Sequence, residues 1–283
     1  MAGTAEHHVA RTSSSALLTS QVSSSIEQQT GLELGRKRLD LLVGWLNRRA
    51  ETLAMRPQEL FQGLFDAEYH NELATVIALI TNKETSFFRG ERQLRLLDSS
   101  VLRPLLEGDT SRPIRLWSAA CSTGEEALTL GMIINDHIGK GCTPGVDHPP
   151  VEIVGSDICV QTLRTASRMR YSAMAETRLG RRRTDRYFNL DGSALVAERS
   201  ELPLTVFHSH NLIRPSRLGP FDVIVVRNVF FYMSTRARTL ALKNLEHALV
   251  PGGVVVFGAN DGINVPAGFE PIGAHCYRRR ILT

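Results

Sequence analysis

The sequence predicts an α/β protein: a parallel sheet with helices on both faces, preceded by a small all-α domain. From residue 114 onward, short apolar runs of strand length alternate with amphipathic runs of helix length, the pattern of successive strand–helix units. Between Glu33 and Ile80 the apolar residues instead recur with helical period. Over residues 171–211 the alternation breaks, which predicts a small antiparallel β insertion.

The chain divides in order. Residues 1–30 are polar and serine-rich, with Ser13-Ser14-Ser15 and Ser23-Ser24-Ser25, and are expected to form a flexible tail apart from a short amphipathic turn around Ala16-Leu17-Leu18. Residues 31–92 read as the helical domain. Leu39, Leu42, Val43 and Leu46 follow the i, i+3, i+4, i+7 spacing, and Leu60, Leu64, Leu73, Val76, Ile77 and Ile80 continue it. Arg56-Pro57 marks a helix boundary, because proline is tolerated in a first helical turn. Arg36, Lys37, Arg38, Arg48 and Arg49 make one helix basic. A solvated face is the commoner reading of such charges, and a docking face for an acidic partner is the sharper one. Thr85-Ser86-Phe87-Phe88-Arg89 follows. One phenylalanine is expected to staple the helical domain to the next unit, with Arg89 pointing at the cleft between them. Residues 90–110 read as a further helix.

Residues 93–283 carry the alternating pattern. Ile114–Ala119 suits a strand covered on both faces, followed by the small-residue loop Ala120-Cys121-Ser122-Thr123-Gly124. Ser122 or Thr123 can cap the next helix, and Glu125 and Glu126 fall in its first turn, where the helix dipole favours acid. The single glycine excludes a G-x-G-x-x-G dinucleotide loop, and the lack of Gly-Lys-Ser/Thr excludes a P-loop. Acid here suits a ligand with a cationic amino-acid end and no phosphate. S-adenosylmethionine fits that description, and on this stretch alone an ordinary strand-to-helix turn fits equally well. Val151–Asp157 is the second strand. An acid at its carboxyl end can hold ribose hydroxyls or can simply cap its own helix, expected from Val160 to about Arg170.

Within 171–211 the run Arg178-Leu179-Gly180-Arg181-Arg182-Arg183 is strongly basic, and Ala194–Ala197 and Leu204–His208 read as strands of the insertion. Phe221–Val226 is the clearest buried strand, and it ends on Arg227-Asn228. Ser234 caps a helix from Thr235 to Leu249. Pro251-Gly252-Gly253 turns into the strand Val254–Gly258, residues 259–268 form a loop, and Phe269 to Leu282 closes as a hairpin.

Composition bounds the function. The 283 residues, 42% of them hydrophobic, supply a sizeable core. A formal charge of +4 is weak evidence for nucleic acid, and no nucleic-acid partner is expected. The four cysteines, Cys121, Cys142, Cys159 and Cys276, form no C-x-x-C pair, which argues against a zinc site and for a reducing compartment. No apolar run is long enough for a membrane span, and no secretion signal is visible, so a cytoplasmic protein is expected.

Taken together and in order, Thr81–Arg89, Trp117–Glu126, Asp157-Ile158, Phe221–Met233 and Leu249–Gly258 resemble the motifs of the chemotaxis receptor methyltransferases (CheR type), over roughly residues 33–283. That family transfers methyl from S-adenosyl-L-methionine to receptor glutamates and leaves S-adenosyl-L-homocysteine. The resemblance implies a Rossmann-like class I methyltransferase domain. It implies as partner the cytoplasmic helical domain of methyl-accepting chemoreceptors, without insertion into the membrane. Arg89 and Tyr232 are the implied catalytic residues. Lys83, Thr85, Arg89, Glu125, Glu126, Asp157, Asn211, Leu212, Arg227 and Asn228 are the implied cofactor-binding residues, and no metal is implied. Glu126, with Glu125 second, would take the cofactor's amino group, Asp157 its ribose, and Asn211-Leu212 its adenine. This chain departs from the family at four places. Lys83 stands at the family's asparagine, and Ala120 at a glycine, which implies a less close loop. Phe231 and Met233 replace an aliphatic residue and a phenylalanine. Ala259-Asn260-Asp261 replaces H-S-E, which implies altered substrate fit. A methyltransferase for a different substrate and a cofactor-binding regulator without turnover remain the alternatives.

Overall fold

The computed structural model describes residues 18–108, 112–141, 149–264 and 268–281. The chain forms two compact units, one of Met1–Asn82 with Tyr232–Arg238, the other of Lys83–Phe231 with Thr239–Thr283.

In the first unit, residues 18–30 form helix α1, with Leu18, Val22 and Ile26 buried along one face. This part of the expected tail is therefore ordered, because an i, i+4, i+8 apolar stripe runs through the serine-rich composition. Residues 1–17 lie outside the described residues. Helix α2 (Arg36–Thr52) buries Leu42, Leu46 and Ala50, while Arg36, Lys37 and Arg48 remain exposed. Helix α3 (Pro57–Gly63) opens on its proline, and the Glu59 carboxylate accepts the Arg56 N–H at 3.0 Å. Helix α4 (His70–Ile80) buries Val76, Ile77 and Ile80 and is tied to α2 by Arg49–Glu72 at 2.5 Å. The segment from Tyr232 joins this unit through backbone bonds: Glu33 N–H donates to the Tyr232 carbonyl at 2.8 Å, and Ser234 N–H to the Gly31 carbonyl at 3.2 Å.

The second unit starts with α5 (Glu91–Leu97), a π turn over Asp98–Leu102 and α6 (Arg103–Leu106). The π turn just precedes Pro104, which has no N–H to continue an α-helical ladder. Its main sheet contains β1 (Ile114–Ala119), β2 (Val151–Asp157), β6 (Leu204–Ser209), β7 (Phe221–Val226), β8 (Leu249–Phe257), β9 (Phe269–Gly273) and β10 (Cys276–Arg279). The order is β6-β2-β1-β7-β8-β10-β9. The first five strands are parallel, and β10 and β9 add an antiparallel hairpin. Helices α7 (Glu125–Gly141), α8 (Val160–Arg168) and α11 (Thr235–Ala248) make the crossovers. Sequence and fold class agree: this is the α/β Rossmann-like architecture.

Two expectations change. Leu204–His208 is not part of the insertion: it lies in β6, which runs parallel to β2 from Glu152↔Leu204 to Asp157↔Ser209 and forms the sheet edge. A short edge strand half exposed on its outer side lacks the apolar continuity of a central parallel strand, so it resembled an insertion strand. Pro251-Gly252-Gly253 is not a turn but lies within β8, opposite a register shift between Phe221 and Val223. The insertion itself is a three-stranded antiparallel sheet in the order β3-β5-β4, from β3 (Arg170–Ser172), β4 (Phe188–Asp191) and β5 (Ala194–Ala197), with helices α9 (Glu176–Leu179) and α10 (Arg181–Tyr187).

One core packs Leu97, Leu102 and Leu106 with Leu116, Ile153, Val223 and Val254 of the sheet and Leu130 and Ile134 of α7. A second core joins the insertion to α7: Phe87, Tyr171, Tyr187, Phe188 and Leu195 surround Leu128 and Met132. Phe87 is buried in this second core, and the expected staple between the two units is not among its described contacts. Its described ring partners are Tyr171 at 4.9 Å and Phe188 at 5.6 Å, both within this second unit.

Candidate active site

Strands β1, β2 and β7 are parallel neighbours, so their carboxyl ends lie on one edge of the sheet, the place where open α/β sheets bind ligands. After β1 the chain turns sharply. Ala120, Ser122 and Gly124 all have left-handed backbones, with φ of 60°, 51° and 93°. A Cβ makes that conformation unfavourable by roughly 1–2 kcal/mol per residue, so surrounding bonds must hold it. They do. Cys121 N–H donates to the Ser156 carbonyl at 2.8 Å and Ser122 N–H to the Asp157 carboxylate at 2.9 Å. The Ser122 hydroxyl donates to the Lys83 carbonyl at 3.1 Å, and the Tyr171 hydroxyl to the Thr123 carbonyl at 3.0 Å. Burial pushes the Tyr171 phenol well up, which keeps it a donor. Ala120 thus adopts the conformation that a glycine would take without strain, which gives the family's glycine a physical reason.

Asp157 serves two backbones at once. Besides Ser122, it accepts the Cys159 N–H at 2.8 Å and so starts α8. Burial raises its pKa, and these backbone donors pull the other way. Glu125 accepts the Thr123 hydroxyl at 2.6 Å, and burial raises its pKa too. Glu126 is held harder. Its carboxylate accepts the Ser118 hydroxyl at 2.7 Å and pairs with Arg227 Nε at 2.8 Å. Arg227 donates a second bond, to the Arg89 carbonyl at 2.6 Å. Side-chain exposure is only 4% for Arg227 and 12% for Glu126. A carboxylate offers about four acceptor positions, so both acids retain capacity for a ligand's donors.

Arg89 sits on a strained turn, between Phe88 at φ 51° and Gly90 at φ 74°. Phe88 N–H donates to the Thr129 hydroxyl at 3.1 Å, the Arg183 guanidinium lies 3.9 Å from the Phe88 ring centroid, and Arg89 itself reaches the Glu84 carbonyl at 3.1 Å. A cation over a ring face is an attractive contact. Thr85 and Arg89 line one open cleft of about 470 Å³ with Ser86 and Arg178. The basic run is therefore partly committed: Arg183 stacks on Phe88, and Arg181 approaches Asp185 at 3.6 Å.

The other sequence-derived residues are placed as follows. Lys83 is engaged through its carbonyl, with its side chain exposed. The turn after β6 is joined to the end of β2 by the His210 N–H donating to the Asp157 carbonyl at 3.0 Å. In that turn Asn211 Oδ1 accepts the Ile213 N–H at 3.2 Å, and the carbonyl of buried Leu212 accepts Asn244 at 2.9 Å. Asn228 has φ 61°, and its N–H is held by Asp261 at 2.8 Å. Tyr232 belongs to the helical unit, where its hydroxyl accepts Asn82 Nδ2 at 2.6 Å and the Arg38 guanidinium lies 5.0 Å from its ring centroid. Sequence reasoning missed the supports Ser118, Thr129 and Tyr171, and it read Ser122 as a candidate helix cap, whereas its hydroxyl donates to the Lys83 carbonyl. It also read Asp261 as a change in substrate fit. Asp261 is buried and bonded to backbone, so it does not face a substrate. A lone acid four residues past the end of a buried strand was the available signal.

The match to known proteins settles the class. Residues 83–277 match the family model described as CheR methyltransferase, SAM binding domain. The chain belongs to this family. It is 29% identical to chemotaxis protein methyltransferase 1 of Pseudomonas aeruginosa, over 84% of this chain and 88% of that protein. It is 31% identical to chemotaxis protein methyltransferase 2 of Vibrio cholerae, over 68% of this chain and 67% of that protein. With the chemotaxis protein methyltransferase of Escherichia coli the identity is 29%, over 86% and 84%. The chain is an S-adenosylmethionine-dependent methyltransferase of the CheR family, and the reading as a regulator without turnover is not favoured. The donor set fits this cofactor: carboxylates at the ends of β1 and β2 suit an ammonium group and ribose hydroxyls, and neither loop has phosphate-binding chemistry.

Proposed function

We propose that this chain methylates glutamate side chains in the cytoplasmic helical domain of methyl-accepting chemoreceptors, acting in the cytoplasm. The observation that carries this reading is the placement of Arg89. Its exposed guanidinium stands in an open cleft with Thr85, on a turn held by Thr129, Arg183 and Arg227. That arrangement suits a carboxylate substrate carried on a larger surface. Among the described residues no helix is long and apolar enough to cross a membrane.

When bound, S-adenosylmethionine supplies an electrophilic methyl on a positively charged sulfur. Glu126 and Glu125 are proposed to receive its ammonium, Asp157 its ribose, and Asn211-Leu212 its adenine. Arg227 orients Glu126 through their ion pair, and Asn228 and Lys83 are proposed to flank the same site. A free glutamate titrates near 4.3, so the acceptor is already ionised at neutral pH and no general base is required. Arg89 orients that carboxylate by charge and hydrogen bonding, and Thr85 adds a hydroxyl beside it. Positioning and removal of water from the carboxylate supply the rate. Tyr232 is proposed as a second orienting group. The product ester has lost a negative charge, which can bias packing in a helical signalling bundle.

The test is transfer of labelled methyl to a purified chemoreceptor cytoplasmic domain. The expected result is label released by mild alkali as methanol and absent from a receptor with its acceptor glutamates changed to alanine. Label that resists alkali, or no label with a folded enzyme, would contradict glutamate as the acceptor.

A further inference from the structure

Asp261 is 1% exposed, and its described partners are backbone N–H groups. One carboxylate oxygen accepts Gly258 N–H at 2.7 Å and Asn228 N–H at 2.8 Å, and the other accepts Phe230 N–H at 3.0 Å. A single side chain thus joins the end of β8 to the turn that leaves β7. That turn contains Asn228, a non-glycine residue at φ 61°, and begins with Arg227, whose guanidinium reaches Glu126 and the Arg89 carbonyl. Strained backbone persists only where its surroundings over-determine it. The strand fixes the turn from one side, and Asp261 fixes it from the other. The cradle is also shaped for the carboxylate. A Cβ on Gly258 would stand 2.5 Å from Asp261 Oδ2 and 2.8 Å from Asn228 N, so a side chain at 258 and the clamp exclude each other.

We infer that Asp261 is a positioning residue for methyl transfer, holding Arg227 and Asn228 in place at the floor of the cofactor cleft without itself touching reactants. The inference rests on the cleft being the S-adenosylmethionine site. Functional groups need placement within about 0.5 Å, which one lost backbone anchor readily exceeds. An amide cannot replace the carboxylate. Two of the three N–H groups converge on one oxygen, so Asp261→Asn turns its NH₂ toward at least one backbone donor. A glutamate in the same place keeps the acceptor chemistry.

The test compares wild type, Asp261→Asn, Asp261→Glu and Gly258→Ala in the full chain. S-adenosylhomocysteine affinity is measured by calorimetry well below each melting temperature, with thermal melts and methyl-transfer kinetics alongside. The expected result is folded Asp261→Asn with about tenfold weaker binding and a lower kcat, partial recovery in Asp261→Glu, and the Asn phenotype in Gly258→Ala. The Asp261→Asn/Gly258→Ala double variant should be no worse than either alone, because both remove one anchor. Lowered melting temperatures with unchanged affinity and kcat would make Asp261 merely structural and overturn the inference. Wild type that does not bind S-adenosylhomocysteine would remove the cofactor reading, and the inference with it.

Discussion

Replacing Glu126 by alanine should destabilise the catalytic unit severely. The pair Glu126–Arg227 is buried at both ends, with a 2.8 Å contact and side-chain exposures of 12% and 4%. With the carboxylate gone, the guanidinium retains one described acceptor, the neutral Arg89 carbonyl at 2.6 Å, and Ser118 loses its partner. Removing one member of a buried pair costs about 3–5 kcal/mol, because the remaining charge stays desolvated. Glu126→Gln keeps the shape and a hydrogen bond, and should lose about 1.5–3 kcal/mol, the range for a charge-assisted hydrogen bond. A Glu126→Leu/Arg227→Met double variant should recover much of the alanine loss, because no charge is left buried. The assay is urea unfolding at neutral pH followed by circular dichroism, with melting temperatures as a second reading. A domain of this size shifts by roughly 2–4 °C per kcal/mol, so Glu126→Ala should melt on the order of 10 °C lower. Loss of less than about 1 kcal/mol in both Glu126→Ala and Arg227→Ala, the range of an exposed pair, would refute the reasoning.

Three further outcomes follow from the site. Ala120→Gly should stabilise the protein by about 0.5–1 kcal/mol: relief of the left-handed φ is worth roughly 1–2, and glycine's greater freedom in the unfolded chain takes back part of it; an unchanged or lower melting temperature contradicts this. His210 should make the fold sensitive to mild acid. Its Nε2 is buried without a hydrogen-bond partner among the described residues, and burial lowers its pKa below 6.5. The unfolded chain therefore binds the proton first as pH falls, and stability present above about pH 6.5 declines below it until the folded pKa is reached. His210→Phe should flatten that part of the stability–pH curve, and an unaltered slope would show that other groups set it. Arg89→Ala should leave S-adenosylhomocysteine affinity nearly unchanged while lowering kcat by about 10²-fold or more, the scale of a lost electrostatic stabiliser; an equal loss in affinity would assign Arg89 to the cofactor instead.

What the sequence shows well is what local chemistry dictates. Apolar runs located β1, β2 and β7, because strands buried on both faces must be apolar throughout. Glu125-Glu126, Asp157 and Arg227-Asn228 stood out as polar residues where such strands end. Three features were not legible. The helix at residues 18–30 hides a stripe at four-residue spacing, Leu18, Val22 and Ile26, within serine-rich composition. Strand β6 carries its identity in its pairing with β2, which no local pattern records. The third is how the site residues are committed. Arg227 meets Glu126 across 101 positions and Arg89 across 138, and Asp261 meets Asn228 across 33. Such bonds depend on topology, so the sequence could name the residues and not their partners. Tyr232 shows the same limit: five residues after Arg227 in sequence, it falls in the other compact unit.

The most direct test of the central claim is calorimetric titration of S-adenosylmethionine and S-adenosylhomocysteine into wild type and Asp157→Ala. The account predicts binding in the micromolar range, about −8 kcal/mol, that is lost or greatly weakened in the variant while its circular dichroism spectrum stays native. Binding of equal strength in folded Asp157→Ala would contradict the placement of the cofactor at the carboxyl ends of β1 and β2.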